Sequence, residues 1–181
     1  GDVIQLAAGT YYEWNLDPNG KPIIIQGTLN EDGSLATTIN GQQNYHVFFF
    51  NSGEGADTVI QDLIITGGGQ VSYGGGIRCE GSSPTISNCI ITGNTADWAG
   101  GGIHCFQSNP TITGCTISGN SVTNGVGGIY CFDGSPSLMD TVICGNEPDQ
   151  IDGNWTDNGG NTIADDECPL VCPDANDDLH V

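Results

Sequence analysis

A step of 26 residues recurs along this chain and restricts its fold more than any other feature. Gly76-Ile77-Arg78-Cys79 returns as Gly102-Ile103-His104-Cys105 and again as Gly128-Ile129-Tyr130-Cys131. Pro84, Pro110 and Pro136 keep the same step, as do Gly93-Asn94, Gly119-Asn120 and Gly145-Asn146. Thr58 to Gly67 repeats the apolar pattern of Pro84 to Gly93 one step earlier, so four units share one template. A fixed period of this size marks a stack of units, none of which can bury its apolar side alone.

Within a unit the apolar residues alternate with polar ones and are interrupted by residues that tolerate positive φ. That pattern predicts short strands joined by sharp corners, and no segment reads as a long helix. In one strand Ile77 and Cys79 point inward while Arg78 and Glu80 point outward; Ile86 points inward in a second, Cys89 and Ile91 in a third. The corners fall at Asp62, Asn88, Gly114 and Asp140, and at Gly67, Gly93, Gly119 and Gly145. Most other residue types lose roughly 1–2 kcal/mol in the left-handed region. Stacked about 4.8 Å apart, such rungs align Ile60, Ile86, Ile112 and Leu138 in one inner column. Ile65, Ile91, Ile117 and Ile143 form a second, and Leu63, Cys89, Cys115 and Thr141 a third. The expected architecture is an all-β solenoid of parallel strands, three short strands to each 26-residue rung.

Charge limits the partners. Two Lys or Arg stand against 22 Asp or Glu, a formal net charge of −20 over 181 residues. A protein that tracks phosphates needs the opposite balance, so nucleic acid and anionic membrane surfaces are excluded as expected partners. No apolar run approaches the ~18 residues of a membrane span, and membrane insertion is not expected. The chain begins at Gly1 within a strand pattern, as an excised or processed segment of a longer parent with flanking modules would.

On Gly-Gly-Ile-x-Cys, Ser-Pro-x-Ile-x-Asn-Cys and Ile-x-Gly-Asn, the chain resembles the right-handed parallel β-helix superfamily, the pectate-lyase-like group, and within it bacterial extracellular repeat proteins. Gly1 to Tyr11 looks like the opening strand and turn of such domains, and Lys21 to Gly27 like their next strand. The resemblance implies the handedness and a secreted or cell-surface location. It spans roughly residues 1–165 and is specific for fold rather than function, since the superfamily holds lyases, hydrolases, adhesins and tailspikes. The expected division is a β-helix of about six rungs over 1–152, an irregular last rung or cap over 153–171, and an acidic stub of a truncated further module over 172–181. The stub resembles the start of a dockerin-type calcium loop, with Asp174, Asn176 and Asp178 at the first, third and fifth ligand positions. Leu179 sits where that loop wants Gly, and the plain alternative is a solvated acidic linker. Apart from calcium there, no cofactor is expected.

Eight cysteines leave two readings open. Cys79 with Cys89 and Cys105 with Cys115 are matched within rungs, the preceding rung offering Gly53 and Leu63 instead, which suits disulfides within rungs and leaves Cys168 and Cys172 for the tail. Equally, Cys79, Cys105 and Cys131 fall in one inward column, where small thiols fill space without any bond. The spacings do not give the close cysteine pairs of a zinc ribbon.

The resemblance directs attention to the outward side of the Gly-Gly-Ile-x-Cys strand, where relatives hold saccharide. Its outward rows read Arg78, His104, Tyr130 and Glu80, Phe106, Phe132, with Trp98 and Asp97 as a wall. Phe48 and Phe50 join them if Val47 and Phe49 point inward and the loop after residue 67 is an insertion. Aligned aromatic faces accept sugar rings, and interspersed charged groups supply hydrogen bonds; aromatic ladders also stabilise a stack by themselves. The expected function is a non-enzymatic extracellular scaffold or adhesin-like domain presenting this face to polysaccharide or cell-surface glycan. The alternatives are a polysaccharide lyase, with His104, Arg78 and Glu80 as catalytic candidates, and a purely structural repeat. No stacked pair of carboxylates of the kind a hydrolase needs appears. The rows Val59, Thr85, Thr111, Ser137 and Thr66, Thr92, Ser118, Cys144 are too interrupted for an ice-binding surface.

Overall fold

Short apolar strands broken by left-handed corners can satisfy their backbone groups only by coiling and pairing with the turns above and below. The computed structural model describes residues 1–165 and residue 168, and among these it has strands but no helix. The first sheet stacks Asp2–Gln5, Ile23–Gln26, Val59–Gln61, Thr85–Ser87, Thr111–Thr113, Ser137–Met139 and Thr156–Asp157. The second stacks Gly9–Tyr11, Thr37–Asn40, Ile64–Thr66, Ile90–Thr92, Thr116–Ser118, Val142–Cys144 and Thr162–Ala164. The third has five strands, Phe48–Phe50, Ile77–Glu80, Ile103–Phe106, Ile129–Phe132 and Ile151–Asp152. All strand pairs in these sheets are parallel, which makes a β-solenoid with three sheets around one core.

The register carries the repeat into space. Ile60 pairs with Ile86, Ile86 with Ile112, and Ile112 with Leu138, all four without solvent exposure. Ile65, Ile91, Ile117 and Ile143 form the second column, equally sealed. Burial of each such side chain contributes on the order of 1.5–3 kcal/mol. The corners take positive φ where the sequence places them, from 49° at Asp140 to 68° at Gly67. A further left-handed corner, at Gly81, Gln107 and Asp133, closes the three middle strands of the third sheet.

A polar column runs beside the apolar ones. Asn94 Nδ2 donates to Asn120 Oδ1 at 3.0 Å, Asn120 Nδ2 to Asn146 Oδ1 at 2.9 Å, and Asn146 Nδ2 to Gln150 Oε1 at 2.8 Å. The same amides donate to the carbonyls of Ile65, Ile91 and Ile117. These buried side chains thereby satisfy backbone groups that the corners release, and the repeated Gly-Asn is a cross-rung clasp as well as a turn.

Two expectations are corrected. Phe48 and Phe50 point inward with no solvent exposure, and Phe49 points outward. Phe48 pairs with Ile77, 29 residues on, where later rungs step by 26, because the loop after Gly41 is three residues shorter than its counterparts after Gly67 and Gly93. A misjudgement of one residue in that length turns every side chain of the strand over. For the same reason Phe50, not Gly53, lies beside Cys79. Disulfides within rungs do not form: Cys79, Cys89, Cys105, Cys115 and Cys131 are buried free thiols, and among the described residues the disulfide is Cys144–Cys168. Burial pushes the Cys89 thiol above its ordinary range.

Candidate functional site

Where inner positions of the third sheet repeat Ile and Cys, the outer row that opens at Phe49 does not repeat. In-register pairing sets Phe49 beside Arg78, Arg78 beside His104, His104 beside Tyr130, and Tyr130 beside Asp152. A second outward row sets Glu80, Phe106 and Phe132 side by side. The Phe106 and Phe132 rings stack at 5.8 Å, nearly parallel at 7°. His104 stacks on Tyr130 at 5.5 Å and on Tyr73 at 4.9 Å.

Tyr73 owes its place to Gly74. There φ is +67°, and a Cβ would come within 2.9 Å of the Arg78 Cβ and 3.0 Å of the His104 Cβ. The bare backbone thus passes against the sheet and lays the preceding tyrosine over its outer row. Sequence reasoning missed Tyr73; the available signal was that Tyr73-Gly74-Gly75-Gly76 precedes its strand as Ala99-Gly100-Gly101-Gly102 precedes the next.

Tyr73, Arg78, Glu80, His104, Phe106, Tyr130 and Phe132 line an open groove of about 350 Å³. Six of these are candidates from the sequence. The seventh candidate, Trp98, lies outside the groove, in an adjoining depression of about 320 Å³ that shares Tyr73 and Tyr130 with it. Asp97 lines a different depression, with Thr95, Ser121 and Glu147. Phe132 and Trp98 are about half exposed, so flat apolar surface faces solvent.

The electrostatics are unusual for so acidic a chain. Arg78 Nη2 donates to Glu80 Oε2 at 3.0 Å, and the guanidinium carbon lies 5.4 Å from the centre of the Phe49 ring. One side of the cation is thus held by a carboxylate and another by an aromatic face. Among the described residues this is the one side-chain ion pair. His46 and His104 lie buried nearby. Burial and the charge of Arg78 hold both imidazoles down to about 4, although a 2.6 Å contact between His46 Nδ1 and the Gly74 carbonyl works the other way for His46. Both are therefore neutral at physiological pH. The His104 Nδ1 and Arg78 Nε atoms are buried without a hydrogen-bond partner.

A buried acid elsewhere serves the fold. Glu54 accepts from the Gly20 and Ser52 amides at 2.7 and 2.9 Å and from the Ser82 hydroxyl at 2.8 Å. Burial opposes its ionisation, but these three donors outweigh that and hold the carboxyl below its usual range. Among the described residues no three His, Cys, Asp or Glu side chains converge as a metal site. The calcium candidates Asp174, Asn176 and Asp178 lie outside the described residues.

No curated protein and no solved structure matches the chain. A family model described as a right-handed beta-helix region matches residues 26–165, well over half of the 181, and takes in the groove and every strand from Thr37–Asn40 onward. On that match and on its three parallel sheets, the chain belongs to the right-handed beta-helix family.

Proposed function

We propose that the third sheet presents a carbohydrate-binding groove, and that the protein works as a non-enzymatic scaffold or adhesin-like domain at a cell surface or in secretion. The observation that carries this reading is one open groove in which the stacked Phe106 and Phe132 rings stand beside Tyr73, His104 and Tyr130. Sugar rings have apolar C–H faces that pack on aromatic surfaces and hydroxyl rims that hydrogen-bond to polar tips, and this groove offers both. The Cys144–Cys168 disulfide suits an oxidising setting outside the cell, and the bacterial extracellular repeat motifs favour the same location.

Screening on a glycan array tests it. Tyr130→Ala and Phe106→Ala are each expected to weaken binding about tenfold or more, the equivalent of roughly 1.4 kcal/mol for a lost ring contact. Full affinity in both variants, or no glycan bound by the wild-type protein, would falsify the reading and leave a structural repeat.

A second reading, a polysaccharide lyase, has one observation in its favour: His104 is neutral in the groove next to Arg78, as a base beside a neutralising cation would be. It requires unsaturated uronate product in a release assay and loss of that product in His104→Ala. Binding without product supports the non-enzymatic reading.

A further inference from the structure

The groove's charge balance narrows the class of sugar it accepts. This inference rests on the carbohydrate-binding reading above and adds the ligand's chemistry. The chain has two fixed cationic side chains, Lys21 and Arg78, and Arg78 is the one that lines the groove. Its guanidinium is already engaged, by Glu80 at 3.0 Å and by the face of Phe49. Arg78 and Glu80 both line the cavity, so the charge of the pair sums to zero inside it. His46 and His104, the other groups able to become cations there, are buried, and burial disfavours the imidazolium.

What remains to meet a ligand is aromatic surface with uncharged polar tips, the hydroxyls of Tyr73 and Tyr130 and the imidazole of His104. Around it lies the field of a chain with 22 acids. The charge of Glu80 is taken up by Arg78, but Asp152, which pairs with Tyr130, has no cation beside it among the described residues. A sugar carboxylate over Tyr130 is one strand spacing, about 5 Å, from the strand of Asp152, inside the ~8 Å screening length at physiological salt. A neutral sugar meets the same rings and hydroxyls without that repulsion.

We propose that this groove selects neutral pyranose oligosaccharides over uronate-bearing chains of the same linkage, because its one fixed cation is cancelled within the site by Glu80.

Two probes that differ only at C6 test this: the β-1,4-linked hexamers of mannose and of mannuronate, titrated calorimetrically into the wild-type protein and into Glu80→Gln. The wild type is expected to bind the mannose hexamer at least tenfold more tightly at 50 mM salt. That ratio should shrink at 500 mM, where the repulsion is screened, while mannose affinity holds. Glu80→Gln, close to isosteric and checked for native circular dichroism, frees Arg78 and is expected to narrow the ratio at least fivefold by improving mannuronate binding. Equal or tighter wild-type binding of the mannuronate hexamer, or a ratio unmoved by Glu80→Gln, overturns the selectivity and leaves carbohydrate binding standing. If neither hexamer binds, the carbohydrate reading of the groove fails and this proposal with it.

Discussion

On the outside of the first sheet, the in-register row Val59, Thr85, Thr111, Ser137 keeps one small, mostly hydroxyl-bearing character. On the outside of the third, the row Phe49, Arg78, His104, Tyr130, Asp152 changes its chemistry at every rung. The same parallel coil builds both rows, so backbone geometry does not account for the difference. Inward positions have one task, filling a column against identical neighbours, and Ile or Cys recurs there. The plain outer row has only to be compatible with a strand and water. The third face alone gathers large rings, an ion pair and two neutral histidines, and loss of the repeat there marks the place where chemistry is assembled.

The comparison can be broken, or sharpened, by substitution. The largest effect is expected inside: Ile117→Ala opens a cavity in a sealed column and should cost about 2–5 kcal/mol, read from guanidinium unfolding midpoints at constant slope. A loss under 1 kcal/mol would show that the column tolerates voids and that the inner repeat is not explained by packing.

On the third face, His104→Phe keeps an aromatic ring against Tyr73 and Tyr130 and removes a titrating group. An unfolded histidine takes up its proton near pH 6.5, while the folded one does so only near 4. Between those values the unfolded chain binds more protons, so this group makes stability fall as pH drops. The wild type is expected to lose up to about 3 kcal/mol more than His104→Phe between pH 7 and 4. Parallel stability curves for the two proteins would show that burial does not hold the imidazole neutral. The smallest effect belongs to the plain face, where Thr111→Ala should stay within about 0.5 kcal/mol of wild type and leave glycan binding unchanged.

Much of the fold was legible in the sequence. The 26-residue step placed the inner columns, and residues that accept left-handed backbone placed two corners of each rung. The site was legible only where that step holds: Arg78, His104, Tyr130, Glu80, Phe106 and Phe132 could be aligned by counting. The step fails before Ile77, and there Phe48, Phe49 and Phe50 were turned to the wrong faces, because alternation with a period of two converts a one-residue error in loop length into a full inversion. The corner at Gln107 escaped notice because glutamine is not a residue type that signals left-handed backbone. The Asn94, Asn120, Asn146 clasp escaped because a repeated Gly-Asn satisfies the rules for a turn without reference to the rung above. The link from Cys144 to Cys168 joins the repeat to a segment in which the period has faded, so spacing had no hold on it.

The uniform step from Ile60 to Leu138 has a consequence for how such a rod can vary in length. A block of 26 residues spliced in or out between equivalent corners brings each isoleucine column and each asparagine clasp back into contact, so the shaft can be extended like a ladder by whole treads. The groove has no such freedom. Its walls come from treads that differ from one another, and an extra block between Glu80 and Phe106 would cut it in two.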